Sequence, residues 1–246
     1  MKLLRSLLDL IYPPRCPVCG VFLYDEKASH EEGSSFCGAC LTSFLPIQSP
    51  LCPVCGRAFR VGNPANHVCE DCLRKRPFFK EARAPYLYEG RLMTAIHEFK
   101  YGGKTFLAKP LGLLLSSFTK TWLEPNEGLL MMPVPLHPRR LRQRGFNQSL
   151  LLAREVAKAL NADLDFLSLK RIRYTKPQTE LGSEERSRNV RRAFQVSKRE
   201  VVKGRSVVLV DDVATTGSTL NECSRALKKA GCREVFCLAL ARTSTL

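Results

Sequence analysis

Val207 to Thr219 reads VVLVDDVATTGST, and it divides into three chemically distinct parts. The unbroken apolar run Val207 to Val210 has the pattern of a strand buried on both faces of a parallel sheet. Asp211 and Asp212 stand where that strand is expected to leave the sheet. After Val213 and Ala214, residues Thr215, Thr216, Gly217, Ser218 and Thr219 make a small, hydroxyl-rich turn. Leu220 to Ala230 continues with helical spacing, and Gly231 stops it. This order suits a phosphorylated sugar. Backbone N–H groups and a helix dipole hold a phosphate, and carboxylates accept hydrogen bonds from ribose hydroxyls. Both groups sit at the carboxyl edge of the sheet, where open α/β sheets bind ligands.

The stretch resembles the phosphoribosyl pyrophosphate (PRPP) signature of type I phosphoribosyltransferases: an apolar strand, two acids, then TTG with a hydroxyl. Its surroundings agree with an α/β domain. Leu129 to Val134 and Val235 to Ala241 read as further buried strands, and Ala84 to Tyr88 as another. Leu92 to Phe99, Phe106 to Phe118 and Ser149 to Leu160 have helical periodicity, with Pro110 opening a new turn or kinking the second. Between strand 129–134 and helix 149–160 lies a loop carrying Arg139, Arg140, Arg142 and Arg144. Guanidinium groups clamp phosphates bidentately, so this loop is a candidate for a diphosphate or for DNA phosphates. Leu169 to Arg192 is again basic and has little apolar periodicity. It reads as a mobile, partly helical excursion over the ligand site, with Tyr174, Phe146 and Phe194 as stacking or packing rings.

The N-terminal third is different. Cys16-Pro-Val-Cys19-Gly20 recurs as Cys52-Pro-Val-Cys55-Gly56, and each copy is followed by a second pair, Cys37/Cys40 and Cys69/Cys72. The spacing is that of two four-cysteine zinc sites, with metal as a structural cofactor. Sequential pairing keeps each loop local; a cross-braced pairing is also compatible with the sequence. His30 and His67 read as solvated, and Cys223, Cys232 and Cys237 as small core or surface residues. Arg74 to Phe79 reads as a linker, giving residues 1–79 as an N-terminal helix with the double ribbon and 80–246 as the α/β domain, each with its own core.

The 246 residues carry a formal net charge of +16, which zinc thiolates lower without cancelling. Such an excess favours phosphates, nucleic acid or an anionic membrane surface. Met1 to Ile11 is apolar but broken by Arg5 and Asp9. It has neither a signal-peptide core nor the length of a transmembrane segment, and Leu3, Leu4, Leu7, Leu8 and Ile11 share a helical face. A cytoplasmic location with reduced thiols is expected.

Taken in order, the four C-x-x-C pairs, FKYGGK, RQRGFNQ, TKPQTEL, an R-x-R-N-V segment before Ala193-Phe194, and LVDDVATTGST are similar to the ComF family of bacterial competence proteins. The resemblance covers essentially the whole chain. It implies a double zinc ribbon followed by a type I phosphoribosyltransferase-like parallel sheet with helices on both faces. It further implies that Asp211 and Asp212 face the ribose hydroxyls of PRPP, that Ala214 to Thr219 hold its 5-phosphate, and that Mg²⁺ bridges diphosphate and ribose oxygens. The implied partners are PRPP, single-stranded DNA and DNA-uptake proteins. A phosphoribosyltransferase acting on an unidentified base or amine is the alternative, and no residue set identifies that acceptor. Arg192 departs from the family, which commonly has glycine there.

Overall fold

The computed structural model describes residues 12–23, 36–59, 65–123, 128–175 and 188–244. The leucine-rich segment 1–11, His30, Lys176, Arg186 and most of TKPQTEL lie outside the described residues. The elements run α1 (Gly38–Leu41), α2 (Glu70–Arg74), β1 (Glu81–Arg83), β2 (Tyr86–Leu87), α3 (Gly90–Tyr101), α4 (Ala108–Trp122), β3 (Leu129–Pro133) and α5 (Pro138–Arg144). They continue with α6 (Gln148–Leu160), β4 (Asp163–Leu164), β5 (Leu169–Arg171), β6 (Phe194–Val196), α7 (Arg199–Val202), β7 (Ser206–Ala214), α8 (Ser218–Lys229) and β8 (Glu234–Arg242).

The main sheet has the order β1-β8-β7-β3-β4, with β2 continuing along β8, and every pair in it is parallel. Alternation along β7 and β8 creates two apolar layers. Val208, Val210, Leu238 and Leu240 face α3, α4 and α6 through Ile96, Leu111, Leu115 and Leu152. Val207, Leu209, Cys237 and Ala239 face α8 through Leu220, Cys223 and Leu227. Helices on both sides explain why the run 207–210 is continuous rather than alternating.

Separate cores for the two regions are not what the structure shows. Cys16, Phe36, Cys37, Cys40 and Phe44 belong to the α3/α4/α6 layer. Cys52, Val54, Cys55, Cys69 and Cys72 belong to the α8 layer. The ribbons thus straddle the β1 edge of the sheet, one knuckle on each face. The reason is size, because a zinc knuckle has too few apolar side chains to bury a core of its own. The join is also hydrogen-bonded: the Ala82 N–H donates to the Val54 carbonyl at 2.8 Å, and the Leu87 N–H to Leu45 at 2.8 Å. An edge strand that would otherwise offer free backbone groups is thereby covered. Gly56 permits the contact. It holds φ +70, and a Cβ there would lie 2.5 Å from the Ala82 carbonyl oxygen.

Three local readings change. First, β7 extends to Ala214, so Asp211 and Asp212 are inside the strand rather than at its exit. Second, the arginine-bearing loop is a helix, α5. The His137 ring accepts from the Arg139 N–H at 3.2 Å, Pro138 opens the first turn, and Gly145 ends it in a left-handed conformation. Third, the basic excursion is anchored at both described ends, because β5 and β6 pair antiparallel from Leu169↔Val196 to Arg171↔Phe194.

Arg192 has φ 55, a left-handed conformation that a side chain disfavours, and its N–H is held by the Glu222 carboxylate. Arg192→Gly should therefore stabilise the chain by up to about 1 kcal/mol, the relief being partly offset by the freer unfolded chain. Thermal unfolding should shift upward by roughly 2–4 °C. A lower midpoint would contradict this account of the turn.

Candidate functional site

The opening in the sheet lies where β3 stops and β7 continues. β3 follows β7 only to Pro133↔Val210, with one further bond from the Val134 N–H to the Val210 carbonyl. Beyond it, Asp211 to Ala214 run beside β8 alone. A cavity of about 810 Å³ lies against this step. Asp211, Asp212, Thr215 and Thr219 line it from β7 and the start of α8, and Lys100 and Tyr101 line it from the end of α3. Arg140, Arg144 and Ser149 come from α5 and α6, and Arg171 from β5.

The two carboxylates line the same cavity but have different partners. Asp211 accepts the Ser149 hydroxyl at 2.8 Å and the Asp212 N–H at 3.0 Å. Burial raises its pKa to about 6, although Lys100, the Ser149 hydrogen bond, Arg171 and Arg144 pull the other way. Asp212 is 3% exposed and ion-paired with Lys100. Burial draws that ammonium down to about 8, against the attraction of Asp211. Asp211 is therefore the carboxylate open to a ligand, while Asp212 fixes Lys100 in the cavity wall.

The turn between β7 and α8 is set by Gly217. Its φ of +76 calls for glycine, although a Cβ there would meet nothing within 4 Å. The Thr216 and Ser218 hydroxyls lie 2.8 Å apart, and the Ser218 N–H donates to Thr216 Oγ1 at 3.4 Å. Of the hydroxyl residues in the turn, Thr215 and Thr219 reach the cavity.

The four arginines separate. Arg140 and Arg144 line the cavity; Arg139 and Arg142 do not. Arg144 donates to Gln148 Oε1 at 2.6 Å and lies 5.0 Å over the Tyr101 ring. One buried guanidinium nitrogen of Arg140 and the Nε of Arg171 have no hydrogen-bond partner among the described residues. Burial lowers the Arg171 pKa, and the charge of Arg140 pushes the same way. Two crowded cations with unused donors in a concave wall favour an anion between them.

Lys100, Ser149 and Arg171 escaped the sequence reading. Lys100 lies inside FKYGGK, where the pattern marks only a helix end, and Arg171 lies in the basic stretch 169–192, which has little apolar periodicity. Ser149 carried no signal beyond its place at the start of a helix. What brings it to Asp211 is Asn147, whose side chain accepts from the Ser149 N–H at 3.1 Å and donates to the Val134 carbonyl at 3.1 Å.

The cysteines form two groups, Cys16/Cys19/Cys37/Cys40 and Cys52/Cys55/Cys69/Cys72, each with its sulfur atoms within 4.8 Å of one another. Pairing is therefore sequential. The Cys19–Cys37 and Cys55–Cys69 sulfurs are 3.5 and 3.7 Å apart, close to the edge of a tetrahedron of sulfurs around zinc with roughly 2.3 Å bonds. Burial works against the Cys52 thiolate, yet the Cys55, Cys69 and Val54 amides outweigh it and lower the pKa to about 7. Cationic groups complete the surroundings: Arg91 donates to Cys40 Sγ at 3.0 Å, and buried Arg242 lies beside the second group. Four thiolates so arranged suit zinc.

Comparison with known proteins agrees with this geometry. Residues 7–73 match the double zinc ribbon domain and residues 147–245 the phosphoribosyl transferase domain. DNA utilization protein YhgH of Escherichia coli (strain K12) is 34% identical over 209 residues, which cover 78% of this chain and 90% of that protein. Competence protein F of Haemophilus influenzae is 32% identical over 218 residues, covering 87% and 93%. Competence protein ComFC of Bacillus subtilis (strain 168) is 28% identical over 203 residues, covering 79% and 78%. With both domain types in one chain and this identity along most of its length, the chain belongs to the ComF family, a double zinc ribbon joined to a type I phosphoribosyltransferase fold.

Proposed function

We propose that the chain binds PRPP with Mg²⁺ in the 810 Å³ cavity and assists the handling of single-stranded DNA during uptake. The observation that carries the reading is the meeting, in one cavity, of an open carboxylate, a glycine-set hydroxyl turn and three arginines. Asp211 accepts the ribose hydroxyls. Ala214 to Thr219 hold the 5-phosphate through backbone amides at the start of α8. Arg140, Arg144 and Arg171 face the diphosphate. Mg²⁺ would supply neutralisation of the diphosphate charge, and Asp211 is the protein carboxylate that would stand near it. Residues 1–79 supply two structural zinc sites and residues 80–246 the nucleotide-sugar site. The relatives' names, DNA utilization and competence proteins, supply the DNA-uptake context. No helix among the described residues is long and apolar enough to cross a membrane, and we place the chain in the cytoplasm alongside DNA-uptake proteins.

The carboxylate gives a pH test. The folded chain holds the Asp211 proton more tightly than an ordinary carboxylate of pKa 3.8 does, so the stability of the free protein falls as pH rises from about 4 to about 6. PRPP needs the ionised form, so its affinity should rise with pH through about 6. Titration calorimetry of wild type and Asp211→Asn checks this, because the phosphates' own ionisation is common to both. An identical pH profile in the two proteins would remove Asp211 from the binding site.

A further inference from the structure

The helix α5 places its arginines on two sides. At 3.6 residues per turn, Arg140 and Arg144 share one direction and Arg139 and Arg142 another, roughly 150° away. The first pair lines the cavity and the second is exposed outside it. We propose that this outer face, with Tyr174, is a contact surface for single-stranded nucleic acid that is separate from the PRPP cavity. The inference rests on the reading that the chain handles single-stranded DNA.

Chemistry on this face matches a phosphodiester chain carrying unpaired bases. The Arg139 guanidinium lies 4.9 Å over the Tyr174 ring, and the His137 ring meets Tyr174 edge-on at 5.3 Å. Tyr174 nonetheless remains 42% exposed, so ring surface is left for a base to stack on. Arg173 extends the basic face: it donates to the Asn189 and Arg191 carbonyls at 2.8 and 2.7 Å, which brings the exposed Arg191 beside it. No carboxylate among the described residues forms an ion pair with Arg139, Arg142 or Arg173. Burial lowers the His137 pKa, and the charges of Arg171, Arg142, Arg139 and Arg140 push the same way. An exposed ring flanked by guanidinium groups offers stacking and phosphate contacts side by side, the combination that single-stranded nucleic acid uses.

The test is fluorescence anisotropy of labelled oligothymidylate with the full zinc-loaded chain at low salt, with and without saturating PRPP and Mg²⁺. Wild type should bind the oligonucleotide, and bind it equally well with PRPP present. Arg139→Glu with Arg142→Glu should weaken it at least about tenfold and lower the slope of log affinity against log salt by about 1.4, the value for two phosphates. Tyr174→Ala should weaken it about fivefold or more. The arginine variant's PRPP affinity should stay within about twofold of wild type, which also shows that it folds. Three results would overturn the proposal: unchanged oligonucleotide binding in the arginine variant, displacement by PRPP, or duplex binding as tight as single-strand binding. Failure of wild type to bind any oligonucleotide while it still binds PRPP would remove the DNA-handling reading itself.

Discussion

Cys52→Ser should destabilise the whole chain, not just the ribbon, by more than about 4 kcal/mol, lowering the thermal midpoint by roughly 8–16 °C. Cys52 is fully buried, and its sulfur accepts the Cys55 and Cys69 amides at 3.5 and 3.4 Å. Its group shares one apolar layer with Ala82, Val207 and Ala239. Losing the metal therefore opens the β1 edge, where Val54 accepts the Ala82 N–H. It also leaves Arg242, 5% exposed, without the thiolates that offset its charge. Arg242 pairs in register with Ala214, at the entrance to the hydroxyl turn. Hydrogen exchange should accordingly speed up in β1 and β8, and PRPP affinity should fall. Exchange confined to residues near the cysteines, with an unchanged midpoint, would mean that the ribbon is an independent unit after all.

Lys100→Met should cost about 3–5 kcal/mol of stability, because it strands a buried carboxylate. The side chains of Lys100 and Asp212 are 16% and 4% exposed, so water screens the pair little. Adding Asp212→Asn should recover most of the loss, since an amide tolerates burial better than an unpaired charge. Denaturant unfolding of the two single variants and the double variant measures the coupling. Equal stability of Lys100→Met and wild type would show that the ion pair contributes nothing. The single variant should also bind PRPP more weakly, because the cavity loses a cation next to its acidic wall.

How much of the fold and site is legible in the sequence follows from how local each signal is. The run Val207–Val210, the acids and the Gly217 turn are contiguous, so strand, turn and helix read as a unit. The cysteine spacing defines the ligand set, but only the fold shows that pairing is sequential and that each group leans on a different face of the sheet. The helix α5 is hidden by composition. A run of arginines has no apolar stripe, and its signals are the subtler Pro138 and Gly145. Arg171 and Lys100 reach the site from elements far from Asp211 in sequence, and no spacing rule links them. Arg192 is the opposite case: one departure from a family glycine is enough to mark a left-handed backbone position.

In the proposed PRPP site Asp211 contacts the ligand and Asp212 holds Lys100 beside it. Calorimetric titration of PRPP with Mg²⁺ into the zinc-loaded full chain tests this arrangement most directly, comparing wild type with the Asp211→Asn/Asp212→Asn double variant. Each charge-assisted hydrogen bond is worth about 1.5–3 kcal/mol, so the loss of the Asp211 contacts alone should weaken binding by about ten- to a hundredfold or more. Affinity equal to wild type in a folded double variant would show that the two acids only shape the end of β7.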